Sequence, residues 1–177
     1  MRPTDVSIIL RSLRAWDGGV DPIMGWVSDN FRSKWGRRRP FILVGAILSS
    51  LTYPLIWWFP MDWGQEQIML WVIGFGILFY SCFTVWAMPY QSLLMEMTPD
   101  YNERTRVTEI RGYFQTLAGL LNGWMWWISL LPVFFLPTGE ESALNGMRYL
   151  SLGISAIILL LGVIPAIFVK ERYYEKV

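Results

Sequence analysis

Five apolar runs of about 20 residues each divide this chain, at about 6–27, 41–59, 68–95, 110–136 and 147–169. A run of that length is what a helix needs to cross the hydrocarbon core of a bilayer. In hydrocarbon every backbone N–H and C=O must find an internal partner, so such runs fold as helices. The runs predict an all-α membrane protein with about five transmembrane helices. Composition agrees: 54% of the 177 residues are hydrophobic and only 16% are charged, against about 25% charged in a soluble domain. No tract is basic and aromatic enough to argue for nucleic acid, so the expected surroundings are membrane lipid and a small solute. With no histidine and one cysteine, Cys82, neither an intramolecular disulfide nor a zinc or haem site is expected. The first residues, MRPTDVSIIL, do not form a secretory signal.

The connections alternate in charge. SDNFRSKWGRRRP (28–40) carries Arg32, Lys34, Arg37, Arg38 and Arg39, while PMDWGQEQ (60–67) carries Asp62 and Glu66 and no basic residue. TPDYNERTR (98–106) has Arg104 and Arg106, PTGEESALNG (137–146) has Glu140 and Glu141, and the tail has Lys170, Arg172 and Lys176. The positive-inside rule puts the basic connections in the cytoplasm. The protein is therefore expected to be multi-pass in the plasma (inner) membrane, its first helix running inward. That topology starts the chain outside and predicts one further helix before residue 1. The competing reading is a five-helix protein starting at Met1. Trp57, Trp58 and Trp63, with Trp124, Trp126 and Trp127, fall at outer ends, and Tyr173 and Tyr174 at an inner one. Amphipathic rings there anchor helices at headgroup level.

The first run is the anomaly. RAWDGGVDP (14–22) puts Arg14, Asp17 and Asp21 inside it. A rise of 1.5 Å per residue counted back from Ser28 places Asp21 roughly 10 Å and Asp17 roughly 16 Å deep. A charge at the midplane costs about 2.5–3.5 kcal/mol. Spacings of three and four put the three on one helix face, beside Gly18 and Gly25, where a neighbour can approach closely. Two carboxylates one turn apart make a hard-oxygen site. It suits a small cation such as Na⁺, or one shared proton, because adjacent like charges disfavour double ionisation. Arg14 can partly neutralise the pair. The alternative is a structural ion pair of Arg14 with Asp17.

Other positions are marked. Gly25 and Asp29 at a helix end, followed by Gly36, Arg37 and Arg38, are more specifically spaced than topology requires and suggest a gating latch. Pro89 interrupts the third run among Thr84, Tyr90, Gln91 and Ser92; proline removes a helix hydrogen bond, and transporter helices are often broken beside a cavity. A passive kink fits that segment equally. Gly119 and Gly123 form a small-residue packing face. Arg111 is either a snorkelling end residue or a substrate ligand. No phosphate loop, nucleophile elbow, zinc-protease or dinucleotide motif is present, and an enzyme is not expected.

Three stretches, RAWDGGVDPIMGWVSDNFRSKWGRRRPFIL, MPYQSLLMEMTPDYNERTRV and TLAGL, resemble the glycoside–pentoside–hexuronide:cation symporters of the major facilitator superfamily. The resemblance covers nearly the whole chain, from that family's second helix to its sixth. It implies a major facilitator-type bundle, of which residues 1–177 are most of the N-terminal six-helix half, with helix one and the C-terminal half as its missing partners. It implies that Asp17 and Asp21 bind the coupling cation, that Thr84 joins them, and that Arg14 is the arginine one turn above the first acid. No cofactor is implied beyond the coupling ion, Na⁺ or H⁺.

The departures concern the solute. Melibiose-type members carry an asparagine before the second acid, where this chain has Val20. Their helix-four acid and tryptophan fall on Ala87 and Gln91, and their helix-five arginine on Arg111 or Gly112. The expected function is cation-coupled symport of a sugar or glycoside, with Arg14, Tyr90, Gln91 and Arg111 as candidate substrate residues. The rivals are symport of a lipid-like solute and a non-transporting membrane scaffold or inactive fragment.

Overall fold

The computed structural model describes residues 3–31, 33, 35–60, 62–96, 100–129, 131 and 143–168. The basic positions Arg32 and Lys34, the connection 132–142 and the tail from 169 lie outside them, with the anchors and charges read there. The described residues form five long helices. They are α1 (Pro3–Asn30), α2 (Arg39–Thr52), α3 (Gln65–Glu96), α4 (Tyr101–Ser129) and α5 (Ala143–Phe168), with a 3-10 turn at Pro54–Ile56 after α2.

Local chemistry sets the ends. Pro40 occupies the first turn of α2, where its missing N–H costs nothing. Pro54 then ends that helix, and the chain tightens into the 3-10 turn. At the start of α3 the Gln67 side chain accepts from the backbone N–H of Gly64 at 3.1 Å, one half of a capping box. At α4 the carboxylate of Asp100 accepts from the N–H of Asn102 at 2.9 Å. That cap starts α4 nine residues before the Ile110 expected from hydropathy, because DYNERTR (100–106) is a helix N-terminus and not a connection. The sequence carried the signal, Asp100 followed by Glu103 three residues on. Pro22, Pro89 and Pro165 all lie inside unbroken helices.

Three stretches are long and apolar enough to span by composition, Arg39–Ile56, Gln65–Leu94 and Leu144–Phe168. α1 and α4 are long enough, at 28 and 29 residues, but carry the charges discussed above. Large apolar side chains cover the outside, among them Ile23, Leu51, Leu70, Leu121, Leu160 and Phe168. Many of the buried positions are small or polar, among them Ser49, Ser50, Thr52, Thr84, Ser129, Asn145 and Ser151, beside a few large apolar ones such as Ile42 and Leu93. This inside-out distribution suits lipid as the solvent.

The packing runs α1 on α3, α3 on α2, α2 on α5 and α5 on α4. α2 is the hub. A Cβ on Gly45 would lie 2.5 Å from the backbone N of Trp86, and one on Gly162 would lie 2.5 Å from the Cβ of Ala46. Glycine at both places lets α2 touch α3 and α5 almost backbone to backbone. Near the start of α2 Ile42, Leu93 and Ala166 form the buried cluster, with Leu43, Trp86 and Tyr90 packed against it.

α2 and α5 are also tied at both ends by arginine. Arg39 at the start of α2 donates to the carbonyls of Ala166 (2.8 Å) and Ile167 (2.6 Å). Arg148 near the start of α5 donates to the carbonyls of Trp57 (3.2 Å) and Phe59, and to Asn145 Oδ1 (3.3 Å). Arg39 thus meets the terminal carbonyls of α5, which lack intrahelical donors and carry negative partial charge, and Arg148 meets carbonyls of the segment that follows α2 and its 3-10 turn.

Gly45→Ala and Gly162→Ala should each destabilise the purified protein by about 1–3 kcal/mol through overpacking. Gly74→Ala, where no atom lies within 4 Å of the new Cβ, should cause no loss; melting in detergent distinguishes the three. In the same assay Arg148→Ala should cost about 1.5–3 kcal/mol, and Arg148→Lys should recover only part of it because one ammonium cannot span the same carbonyls.

Candidate cation and substrate site

The charged face of α1 meets α3 at mid-helix. Asp17 and Asp21 are one turn apart on α1, and both point at Thr84 of α3, which is 1% exposed. The Thr84 hydroxyl lies 2.9 Å from Asp21 Oδ1 and 3.5 Å from Asp17 Oδ1. It has one proton to give, and the shorter contact with Asp21 takes it. Three hard oxygens from two helices therefore converge on one point.

Neither carboxylate has a cationic partner among the described residues. Arg14 is exposed on α1 and pairs with neither acid, so the alternative of a structural ion pair of Arg14 with Asp17 does not form here. Among the described residues the two acids share only a neutral hydroxyl. Pro22 adds to the local polarity. Lacking an N–H, it removes the ordinary i+4 donor of the Gly18 carbonyl, between the two acids. No three His, Cys, Asp or Glu side chains cluster among the described residues. The donor set is two carboxylates and a hydroxyl, which fits a hard monovalent ion or a proton.

The other candidate residues fall in three places. Tyr90 stacks on Trp86, ring centroids 5.4 Å apart and planes within 12°, and packs against the buried cluster. Its ring therefore serves packing between α2, α3 and α5. Gln91 is exposed one residue on. Arg111 is half-buried on α4, the helix that packs on α5, and makes no hydrogen bond or ion pair with Asp17, Asp21 or Thr84.

The candidate latch residues lie together at the end of α1. Arg38, 5% exposed, donates to Asp29 Oδ1 through Nη2 at 2.6 Å and through Nε at 3.2 Å. Gly36 sits at φ 108°, a left-handed conformation that favours glycine. Its N–H bonds Ser33 O at 3.1 Å to close the turn. Gly25 belongs to the same end of α1, where its carbonyl accepts from Ser28 Oγ at 3.0 Å. Arg37 follows Gly36 in the turn.

Sequence reasoning missed three residues that the fold uses. Arg148 and Pro22 lie in runs where hydropathy dominates, although an arginine at a span end beside Asn145 is a signal of an anchored terminus. Trp16 was not marked at all. Its indole N–H donates to Ser81 Oγ at 2.8 Å, one residue before Asp17.

Comparison with known proteins identifies the family. Residues 1–177 match the model of a family described as MFS/sugar transport protein. An uncharacterized symporter of Synechocystis sp. is 34% identical over 117 residues, covering 62% of this chain and 21% of that protein. The sodium-dependent lysophosphatidylcholine symporter 1 of Mus musculus is 31% identical over 125 residues, 68% of this chain and 23% of that protein. The sucrose transport protein of Arabidopsis thaliana is 34% identical over 125 residues, 59% of this chain and 24% of that protein. The matched stretch is thus under a quarter of the length of each relative. With a family match over its whole length and a bundle of long helices without a strand among the described residues, the chain belongs to the MFS/sugar transport family of the major facilitator superfamily, an integral membrane family.

Proposed function

We propose that this chain is most of the N-terminal half, helices two to six, of a secondary transporter that couples uptake of a sugar or glycoside to Na⁺ or H⁺. The observation that carries the reading is the Asp17–Asp21–Thr84 cluster. Two carboxylates stand at membrane depth with no cation opposite them, and an intramembrane acid is retained at a cost of a few kcal/mol only where it works. A bound cation neutralises the pair. The desolvated helix face then closes over a solute held near the midplane, with helix one and the C-terminal half supplying the opposite wall. The family described as sugar transport, the sodium-dependent relatives and the sucrose relative support this reading.

A second reading of the solute is a lysolipid-like amphiphile. It is favoured by the mouse lysophosphatidylcholine relative, which aligns with 68% of this chain, and by Gln91 in place of the sugar-stacking tryptophan. Coupling is common to both readings, and reciprocal linkage then requires solute to tighten cation binding by the factor by which cation tightens solute binding.

The full-length protein in vesicles should take up one labelled solute from a panel of saccharides and lysophosphatidylcholine, stimulated by a Na⁺ or a proton gradient. Asp17→Asn and Asp21→Asn should each lower that stimulation at least about tenfold, equivalent to roughly 1.4 kcal/mol. Uptake indifferent to both ions and both variants would remove the symport reading. Thr84→Val, which keeps the shape and loses the oxygen, should raise the half-saturating cation concentration roughly threefold to tenfold, and Thr84→Ser should restore it.

A further inference from the structure

We infer that the hydrogen bond between Trp16 and Ser81 sets the register of the cation site, so that Trp16 is a positioning residue for Asp17, Asp21 and Thr84. This inference rests on reading the two acids as the coupling-ion ligands.

The direction of the bond is unambiguous. Indole has only a donor. Ser81 gives its single hydroxyl proton to the carbonyl of Ile77 at 2.8 Å, which leaves an Oγ lone pair to accept from Trp16 Nε1, also at 2.8 Å. The relay fixes the Trp16 side chain to the α3 backbone one turn before Ser81.

The two cross-helix links are consecutive. Trp16 adjoins Asp17 on α1, and Ser81 lies three residues before Thr84 on α3. Around α1 at about 100° per residue, Trp16 and Asp21 stand about 140° apart. The indole thus grips one flank of the α1–α3 seam while the acids meet Thr84 on the other. Sliding or rotating α1 enough to open one link opens both. Two other contacts along this seam are less able to fix it. Gln65 bonds Asp5, twelve residues and about 18 Å before Asp17. Leu13 only packs on Gly76, and apolar contact has no angular preference.

The two links also respond differently to an ion. Thr84 bonds the ligand oxygens themselves, so its hydrogen bonds rearrange when a cation enters. The Trp16–Ser81 bond contains no ligand atom. It holds α1 to α3 whether the carboxylates repel each other or share a cation, and so keeps three oxygens within reach of one ion.

The test is cation binding to the purified full-length protein, with Na⁺ followed by calorimetry and proton uptake by an indicator dye. Trp16→Phe keeps a ring and loses the N–H. It should weaken binding of the coupling ion roughly threefold to tenfold, with melting temperature and yield close to the parent. Ser81→Ala should weaken it by a similar factor, the double variant by no more than the larger single loss, and Ser81→Thr should bind like the parent. Ser81→Ala keeps the test alive if Trp16→Phe does not fold. Unchanged affinity in Trp16→Phe or Ser81→Ala, or losses that multiply in the double variant, would overturn the inference while leaving the cation site standing. A parent that binds neither ion in a manner sensitive to Asp17→Asn and Asp21→Asn would overturn both.

Discussion

Hydrocarbon offers a polar group no hydrogen bond, and the arrangement of this chain follows from that deficit. Buried hydroxyls turn back on their own helices: Ser49 on Gly45 O at 2.7 Å, Thr52 on Leu48 O at 2.9 Å, Ser151 on Arg148 O at 2.6 Å. Satisfied locally, they stay small and neutral toward neighbouring helices. That lets α2 approach α3 and α5 at Gly45 and Gly162 to backbone contact, where dispersion replaces the hydrophobic effect as the cohesive term. The ends of α2 and α5 are the places where local satisfaction fails, because terminal carbonyls have no intrahelical donor. Arg39 and Arg148 meet that failure from opposite sides of the bundle.

The acids of α1 are the exception to local satisfaction. Serine and threonine can donate to a carbonyl one turn back, but a carboxylate only accepts and the helix carbonyls have nothing to give it. Asp17 and Asp21 must therefore take protons or cations from outside their own helix. The protein supplies one hydroxyl, Thr84, between two acids. The deficit lies on α1, the helix that packs on α3 and stands outside the α2–α3–α5 core. A change of charge on α1 can thus alter the α1–α3 seam while the arginine-tied pair of α2 and α5 keeps its form. A two-state element with an electrostatic bias is what coupling requires.

Much of this was legible in residues. Helix number and order followed from length and hydropathy, since spanning runs leave the backbone little choice. The Asp17–Asp21 face followed from a spacing of four on a helix, and Asp29 with Arg38 from a helix end facing a basic turn. What was not legible came from two sources. The start of α4 at Tyr101 was set by the Asp100 cap, and hydropathy is blind to caps. The partners of Arg148 and Trp16 lie far along the chain, at separations from 65 residues for Trp16–Ser81 to 91 for Arg148–Trp57, and Tyr90 packs on its own helix and in a core whose composition looks like any apolar run. Tyr90 was marked by its hydroxyl, yet the contact that places it is its ring on Trp86. Arg14 was marked as the counter-charge of the acids, but an arginine on an exposed face gains more from solvation or a distant partner than from a carboxylate it meets only along its own helix.

The position of Arg14 bears on how an occupied site would differ from an empty one. Had the guanidinium paired with Asp17, a cation would need to displace it, and the gain on binding would be reduced by the pair it broke. On the proposed reading, no internal partner competes with an incoming ion or proton for the two acids. The free energy released on binding would then be available to the α1–α3 seam instead of being consumed by an internal exchange of partners. A solute that binds the closed arrangement would draw on the same neutralisation, so that the separation of Arg14 from Asp17 would serve the proposed coupling alongside the convergence of Asp17 and Asp21 on Thr84.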